Sequence, residues 1–131
     1  VGARLLYPDD TIQHAGVILG IGGCAGHANK YIPKTAPGYA NRALIAQDLS
    51  ACTAACLMVR KSVFDEVNGF DESFEVAFND VDFCLRIREK DYLIVYTPYA
   101  ELYHYESKSR GHEDSSEKQT RFNGEVFRLK A

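Results

Sequence analysis

Between Gly69 and Arg88 the sequence reads Gly-Phe-Asp-Glu-Ser-Phe-Glu-Val-Ala-Phe-Asn-Asp-Val-Asp-Phe-Cys-Leu-Arg-Ile-Arg, a row of carboxylates that runs into a periodic apolar segment. Asp80 and Asp82, one residue apart, fall where that segment begins. From Val81 the apolar residues recur at Cys84, Leu85 and Ile87, and Arg86 and Arg88 take more polar directions, so the spacing predicts an amphipathic helix. Asn79 is suited to cap it. Asp80 then occupies the first helical turn, where unpaired backbone N–H groups and the helix dipole favour a negative charge. Chemistry that needs a charged oxygen pair at a fixed place fits this position. Asp82 also has a plain structural account, because Arg86 lies one turn further on and an i, i+4 ion pair would hold it.

Other chemistry-bearing residues lie outside this stretch. Glu101 to Glu106 alternates, which sets Leu102, His104 and Glu106 on one face of an extended segment, so His104 looks out from a strand end near a carboxylate. Arg110 sits in a polar, charged run from Ser107 to Ser116 that reads as a mobile loop. Thr53, Ala54 and Ala55 are small side chains within an otherwise apolar run; they leave room either for a ligand or for close packing of backbone on backbone.

The elements that must position these groups follow in chain order. Val1 to Tyr7 predicts a strand, Pro8-Asp9-Asp10-Thr11 carries turn chemistry, and Ile12 to Leu19 predicts the second arm of a hairpin, with His14 inside it. Residues 20–41 hold Gly20, Gly22, Gly23, Gly26, Pro33, Pro37 and Gly38 and are expected to form a flexible loop suited to closing over a substrate. They are no phosphate loop, because no Gly-Lys-Ser/Thr follows. Asn41 to Ser50 is ambiguous, leaning to strand at its end. Ala51 to Arg60 predicts a buried strand, and Arg60 to Val67 a short helix with Gly69 in the left-handed position just past its end. Tyr92 to Thr97 predicts a strand buried on both faces and ended by Pro98. Within 107–131, after the polar loop, Phe122, Val126 and Leu129 predict a last helix. Strands and helices interleave, which gives an α/β domain.

The chain has 131 residues and is 46% hydrophobic, enough for one modest core. A net charge of −3 and an isoelectric point near 5.8 give no basic stripe for nucleic acid, though a diphosphate ligand is not excluded. Cys24, Cys52, Cys56 and Cys84 form no C-x-x-C pair, so reduced thiols in a cytoplasmic protein are the expectation. No signal peptide and no apolar run of membrane-spanning length occurs.

The ordered motifs Thr53-Ala54-Ala55-Cys56-Leu57-Met58-Val59-Arg60, Phe64 to Gly69-Phe70-Asp71-Glu72, Phe78-Asn79-Asp80-Val81-Asp82-Phe83-Cys84-Leu85-Arg86 and His104-Tyr105-Glu106-Ser107 resemble the second half of family 2 glycosyltransferases. The opening Leu5 to Gly16 is similar to the hairpin that follows the nucleotide-binding half in the bacterial rhamnosyltransferase-like members, which build surface polysaccharides. The resemblance implies a partial GT-A (nucleotide-diphospho-sugar transferase) fold, a mixed sheet flanked by helices, with the whole of 1–131 on the acceptor side and the N-terminal nucleotide-binding half absent. It implies sugar transfer from a nucleotide-diphosphate donor to a hydroxyl of a glycan or lipid-linked acceptor, with inversion. Asp80 would be the general base, and Asn79 stands where the family more often has Glu. Asn79, Asp82, Thr53, Ala54, Ala55 and Arg110 would line the substrates, Arg110 steadying the leaving diphosphate.

His104 would approach a Mn²⁺ or Mg²⁺ ion on the donor; a histidine satisfied by Glu106 or by backbone is the alternative. The Asp-x-Asp that holds the family's metal is missing, since Asp80-Val81-Asp82 sits in the base position, so this chain alone is expected to be inactive. Self-association of the isolated chain through an exposed sheet edge, a cytoplasmic location and peripheral attachment of the parent protein at the inner face of the membrane are further expectations. Two readings from other classes are a noncatalytic carbohydrate-binding module and a metal-dependent hydrolase built on His14, His104 and acidic residues.

Overall fold

A computed structural model of the chain describes residues 1–20, 25–74 and 78–105. The polar loop and helix expected within 107–131, with Glu106 and Arg110, lie outside the described residues, as do Cys24 and Glu75. The opening hairpin is present: β1 (Gly2–Leu6) pairs antiparallel with β2 (Ile12–His14), and both strands are buried throughout. Its turn uses the residues that the sequence offers. Asp9 accepts from the backbone N–H and hydroxyl of Thr11 at 3.0 and 2.6 Å, and Asp10 takes a left-handed φ of 64°.

The second arm is shorter than Ile12 to Leu19. Gly16, at φ 103°, breaks the run, and β3 (Val17–Leu19) turns away to pair with β4 (Ala25–His27) in a separate two-stranded sheet. A Cβ at position 16 would lie 2.2 Å from Leu49 Cδ1 in a backbone region that L side chains rarely adopt. Gly16→Ala is therefore expected to cost about 1–3 kcal/mol, read as a lowered urea midpoint at an unchanged slope.

The glycine- and proline-rich stretch read as a flexible loop is tied down where it is described. It contains β4, and residues 31–34 hydrogen-bond along the outer edge of the hairpin: Tyr31 N–H to Ile12 O at 2.7 Å, Ile12 N–H to Ile32 O at 2.8 Å and Lys34 N–H to Asp10 O at 2.9 Å. That edge of the sheet is thus covered.

The main sheet runs in the order β2-β1-β6-β5, where β5 is Gln47–Leu49 and β6 is Ile94–Tyr103. β1 and β6 are parallel and the other pairs antiparallel, so the sheet is mixed, as expected. Pro98 does not end the strand. The register passes from Ala3 opposite Thr97 to Arg4 opposite Glu101, so residues 98–100 leave the ladder and the strand resumes beyond them. Proline has no N–H to contribute, and the chain returns where the Arg4 guanidinium donates to Glu101 through Nε at 2.8 Å. Nor is the strand buried on both faces: Ile94 and Tyr96 are buried and Val95 and Thr97 partly so, while Tyr92 and Leu93 lie outside it and exposed.

α1 (Lys61–Glu66) matches its expected span. Asn68 and Gly69 both follow it in left-handed conformation, and Gly69 N–H closes back on Phe64 O at 2.9 Å. α2 (Asn79–Arg88) buries Val81, Phe83, Cys84 and Ile87 in one core with Cys52, Val63, Val67, Ile94 and Tyr96. Phe83 takes the buried place expected of Leu85, and the rings of Phe64, Phe70 and Phe83 meet edge to face or tilted in one cluster. Cys52, Cys56 and Cys84 are free thiols, and burial pushes Cys52 up to about 12. No helix of the described residues is long and apolar enough to cross a membrane.

Candidate functional site

The start of α2 is built one residue earlier than its sequence suggests. Phe78, at φ 62° and with no side-chain capping bond, is the cap, and Asn79 is the first helical residue. Asn79 Oδ1 instead accepts from Asp80 N–H at 2.8 Å, and Asp80 Oδ1 accepts from Val81 N–H at 2.8 Å. Two of the donors that a helix start leaves open are thereby satisfied within the turn itself.

The other oxygen of Asp80 reaches across the fold. Asp80 Oδ2 accepts from Ala54 N–H at 3.1 Å, a contact between residues 26 apart. This bond explains why Ala51 to Arg60 is not the buried strand expected. Ala51 and Leu57 make only isolated bridges, to Val17 and Gly2, and between them Ala54–Cys56 forms one 3-10 turn. Thr53 caps that turn by accepting from Ala55 N–H at 3.4 Å, and Ala54 and Ala55 lie exposed at the surface. The small side chains accommodate a turn beside a carboxylate, and two stretches chosen from sequence, 53–55 and 79–80, meet there.

A carboxylate offers about four lone-pair sites, and two are used by Val81 and Ala54, so half-buried Asp80 retains capacity to accept from a hydroxyl outside the protein. On the neighbouring turn Ala54 and Ala55 expose nothing bulkier than a methyl group.

Behind the turn lies a pair of histidines. Thr53 N–H donates to His14 Nε2 at 3.4 Å, and His14 Nδ1 stands 3.0 Å from His27 Nδ1 with the rings edge to face. His14 is fully buried, and burial, with His27 beside it, lowers it to about 3, so it is neutral at ordinary pH. Because Nε2 accepts, the proton of His14 resides on Nδ1 and is donated to His27 Nδ1. His27 carries no signal in the sequence: only the β3–β4 pairing, across a glycine-rich connection, brings it to His14.

Asp82 is engaged elsewhere. Its Oδ2 accepts from Arg86 Nε at 2.9 Å, and Arg86 also donates to Val67 O and lies over the Phe83 ring, which ties α2 to the end of α1. Asp82→Asn is accordingly expected to lower stability by about 0.5–1 kcal/mol while the ordering of the Ala54 amide by Asp80 stays intact, seen as an unmoved Ala54 amide resonance.

His104 is clamped by one side chain: its Nδ1 lies 2.7 Å from Gln13 Oε1, and Gln13 Nε2 donates to His104 O at 2.9 Å. The amide oxygen accepts, so Nδ1 bears the proton and the Nε2 lone pair is the one directed to any ligand, an arrangement that suits a metal-binding imidazole. Among the described residues no group of three or more His, Cys, Asp or Glu side chains could hold a metal ion. Gln13 and His14 are neighbours on β2 and point to opposite faces, one toward His104 and the other toward Thr53. His14 and His104 thus have separate partners, Thr53 and His27 for the one and Gln13 for the other, which does not favour the hydrolase reading.

Two surface clefts, of 380 and 420 Å³, lie around Arg42, Leu49 and Arg88 and around Met58, Val63 and Leu93; neither is lined by Asp80 or the 53–55 turn.

Over 131 residues the chain is 53% identical to an uncharacterized protein, y4gI, of Sinorhizobium fredii, a match that covers 99% of this chain and 14% of that protein. It is 38% identical over 114 residues to the O-antigen biosynthesis protein RfbC of Myxococcus xanthus, covering 84% of this chain and 9% of the relative. It is 39% identical over 64 residues to the N-acetylglucosaminyl-diphospho-decaprenol L-rhamnosyltransferase of Mycobacterium tuberculosis, covering 49% and 21%. The chain thus spans less than a quarter of the length of each of these relatives, and it is related in sequence to proteins named as glycosyltransferases and polysaccharide-synthesis proteins. No family model matches it, and no solved structure does.

Proposed function

We propose that this chain forms the acceptor side of an inverting glycosyltransferase of the GT-A type, acting in cell-surface polysaccharide synthesis, with Asp80 as its general base. The observation that carries this reading is the bond from Ala54 N–H to Asp80 Oδ2, which fixes a carboxylate with spare lone pairs beside an exposed, small-residue turn. In the reaction the acceptor hydroxyl gives its proton to Asp80 as its oxygen bonds to the anomeric carbon. The bond from that carbon to the nucleoside diphosphate breaks on the opposite side, and the diphosphate leaves with the electron pair. Relatives named as an L-rhamnosyltransferase and an O-antigen biosynthesis protein support the reaction class.

Thr53, Ala54, Ala55 and Asn79 border the place where the acceptor hydroxyl would lie. A divalent cation, Mn²⁺ or Mg²⁺, would neutralise the leaving diphosphate, with His104 Nε2 as this chain's contribution to holding it. Arg110 is assigned to the same diphosphate. The donor is a nucleotide-diphospho-sugar, the acceptor a glycan or lipid-linked glycan, and the enzyme works on the cytoplasmic side of the membrane.

The test is to incubate the full-length protein with dTDP- and UDP-linked sugars and a glycan-lipid acceptor, and to read the anomeric configuration of the product by NMR. Inversion with release of nucleoside diphosphate is expected. Retention, or glycan binding without turnover on any donor, would overturn the proposal, the second in favour of a binding module.

A further inference from the structure

We infer that His14 and His27 act together as the positioning device for the Asp80 carboxylate, through the backbone of Thr53 and Ala54. This rests on the reading of Asp80 as the base, and it concerns residues that touch no substrate. Three successive backbone donors of the turn each have one partner. Thr53 N–H goes inward to His14 Nε2 at 3.4 Å, Ala54 N–H goes to Asp80 Oδ2 at 3.1 Å, and Ala55 N–H goes to Thr53 Oγ1 at 3.4 Å. The first bond anchors the turn to the buried interior and the second presents its next amide to the carboxylate.

The direction of the first bond depends on a proton two atoms removed from it. Neutral His14 can accept at Nε2 only while its proton sits on Nδ1, and that proton is held by His27 Nδ1 at 3.0 Å. With His27 removed, His14 is free to take the other tautomer, whose Nε2–H would face Thr53 N–H donor to donor. The turn would then withdraw, and Ala54 with it. His27 selects the tautomer, His14 holds Thr53, and Thr53 sets the amide that orients Asp80. His14 is fully buried and His27 half-buried, on the far side of the turn from the carboxylate.

The chain labelled with ¹⁵N decides the geometric part without any activity. Long-range ¹H–¹⁵N spectra are expected to show His14 protonated at Nδ1 and bare at Nε2; a proton on Nε2 overturns the inference. In His14→Gln, whose amide oxygen can replace the Nε2 acceptor, the Ala54 amide should keep its exchange rate, whereas in His14→Leu it should exchange at least about tenfold faster. Equal exchange in both variants overturns the inference, and the tautomer result stands even if the leucine variant fails to fold. In the full-length protein His14→Leu and His27→Leu should lower kcat by more than about tenfold with donor KM changed less than about threefold, and His14→Gln should restore kcat. A purely structural role would lower the folded fraction and leave kcat per folded molecule unchanged. If Asp80→Asn also leaves turnover intact, the base assignment has failed while the amide exchange still reports on the relay.

Discussion

Asp80→Ala in the full-length protein is expected to lower the rate of sugar transfer by about 10²- to 10⁴-fold, the contribution of a positioned general base. The same substitution removes two hydrogen-bond acceptors, for Val81 N–H in the first turn of α2 and for Ala54 N–H in the turn opposite. Loss of a first-turn acceptor and of a long-range contact together costs about 1–2 kcal/mol, small enough that the protein stays folded. The two effects separate by experiment. Chemical denaturation reports the stability change, and turnover per folded molecule reports the chemistry. An alanine variant that loses stability while retaining turnover would make Asp80 a brace and nothing more.

The second large effect is on stability against pH, and it comes from His14. The imidazole has an ordinary value of 6.5 and is lowered by burial to about 3 in the folded protein. Below 6.5 the unfolded chain therefore binds a proton that the folded chain refuses, and stability falls as pH drops toward 3. Between about pH 7.5 and pH 5 this one group removes about 2 kcal/mol. Urea midpoints across that range should fall in the wild type. His14→Gln, which has nothing to protonate there, should flatten the dependence by about the same 2 kcal/mol. An unchanged slope in the glutamine variant would mean that the acid sensitivity belongs to other groups.

Asp80 is legible in the sequence because two independent patterns converge on it, an apolar repeat from Val81 and an acid at the point where that repeat starts. The exact cap is not. Phe78 adopts a left-handed conformation that a bulky residue seldom takes, and Asn79 turns its side chain forward to the next amide. Neither choice follows from local propensity.

The turn at Ala54–Cys56 was hidden for a related reason. A run of small and apolar residues satisfies a strand pattern equally well, and what decides against the strand is a hydrogen bond to a carboxylate 26 positions away. Pro98 reads as a terminator because it removes a ladder donor, yet a bulge lets the strand step around it and resume. The hairpin, the helix ending at Gly69 and the mixed sheet needed only turn chemistry and periodicity, which are local. The histidine pair depends on pairing β3 with β4, and no spacing in the chain announces it.

The central claim is that the carboxylate shared by α2 and the 53–55 turn takes the acceptor's proton. Asp80→Asn tests it most directly, because asparagine removes the basicity while its one amide oxygen can still accept from Ala54 N–H, at the loss of the acceptor for Val81 N–H. In the full-length protein, supplied with nucleotide-sugar donor and glycan acceptor, the asparagine variant should keep the wild-type unfolding free energy to within about 1–2 kcal/mol. It should also release nucleoside diphosphate at least about 100-fold more slowly. Release at the wild-type rate from a folded Asp80→Asn protein would contradict the account.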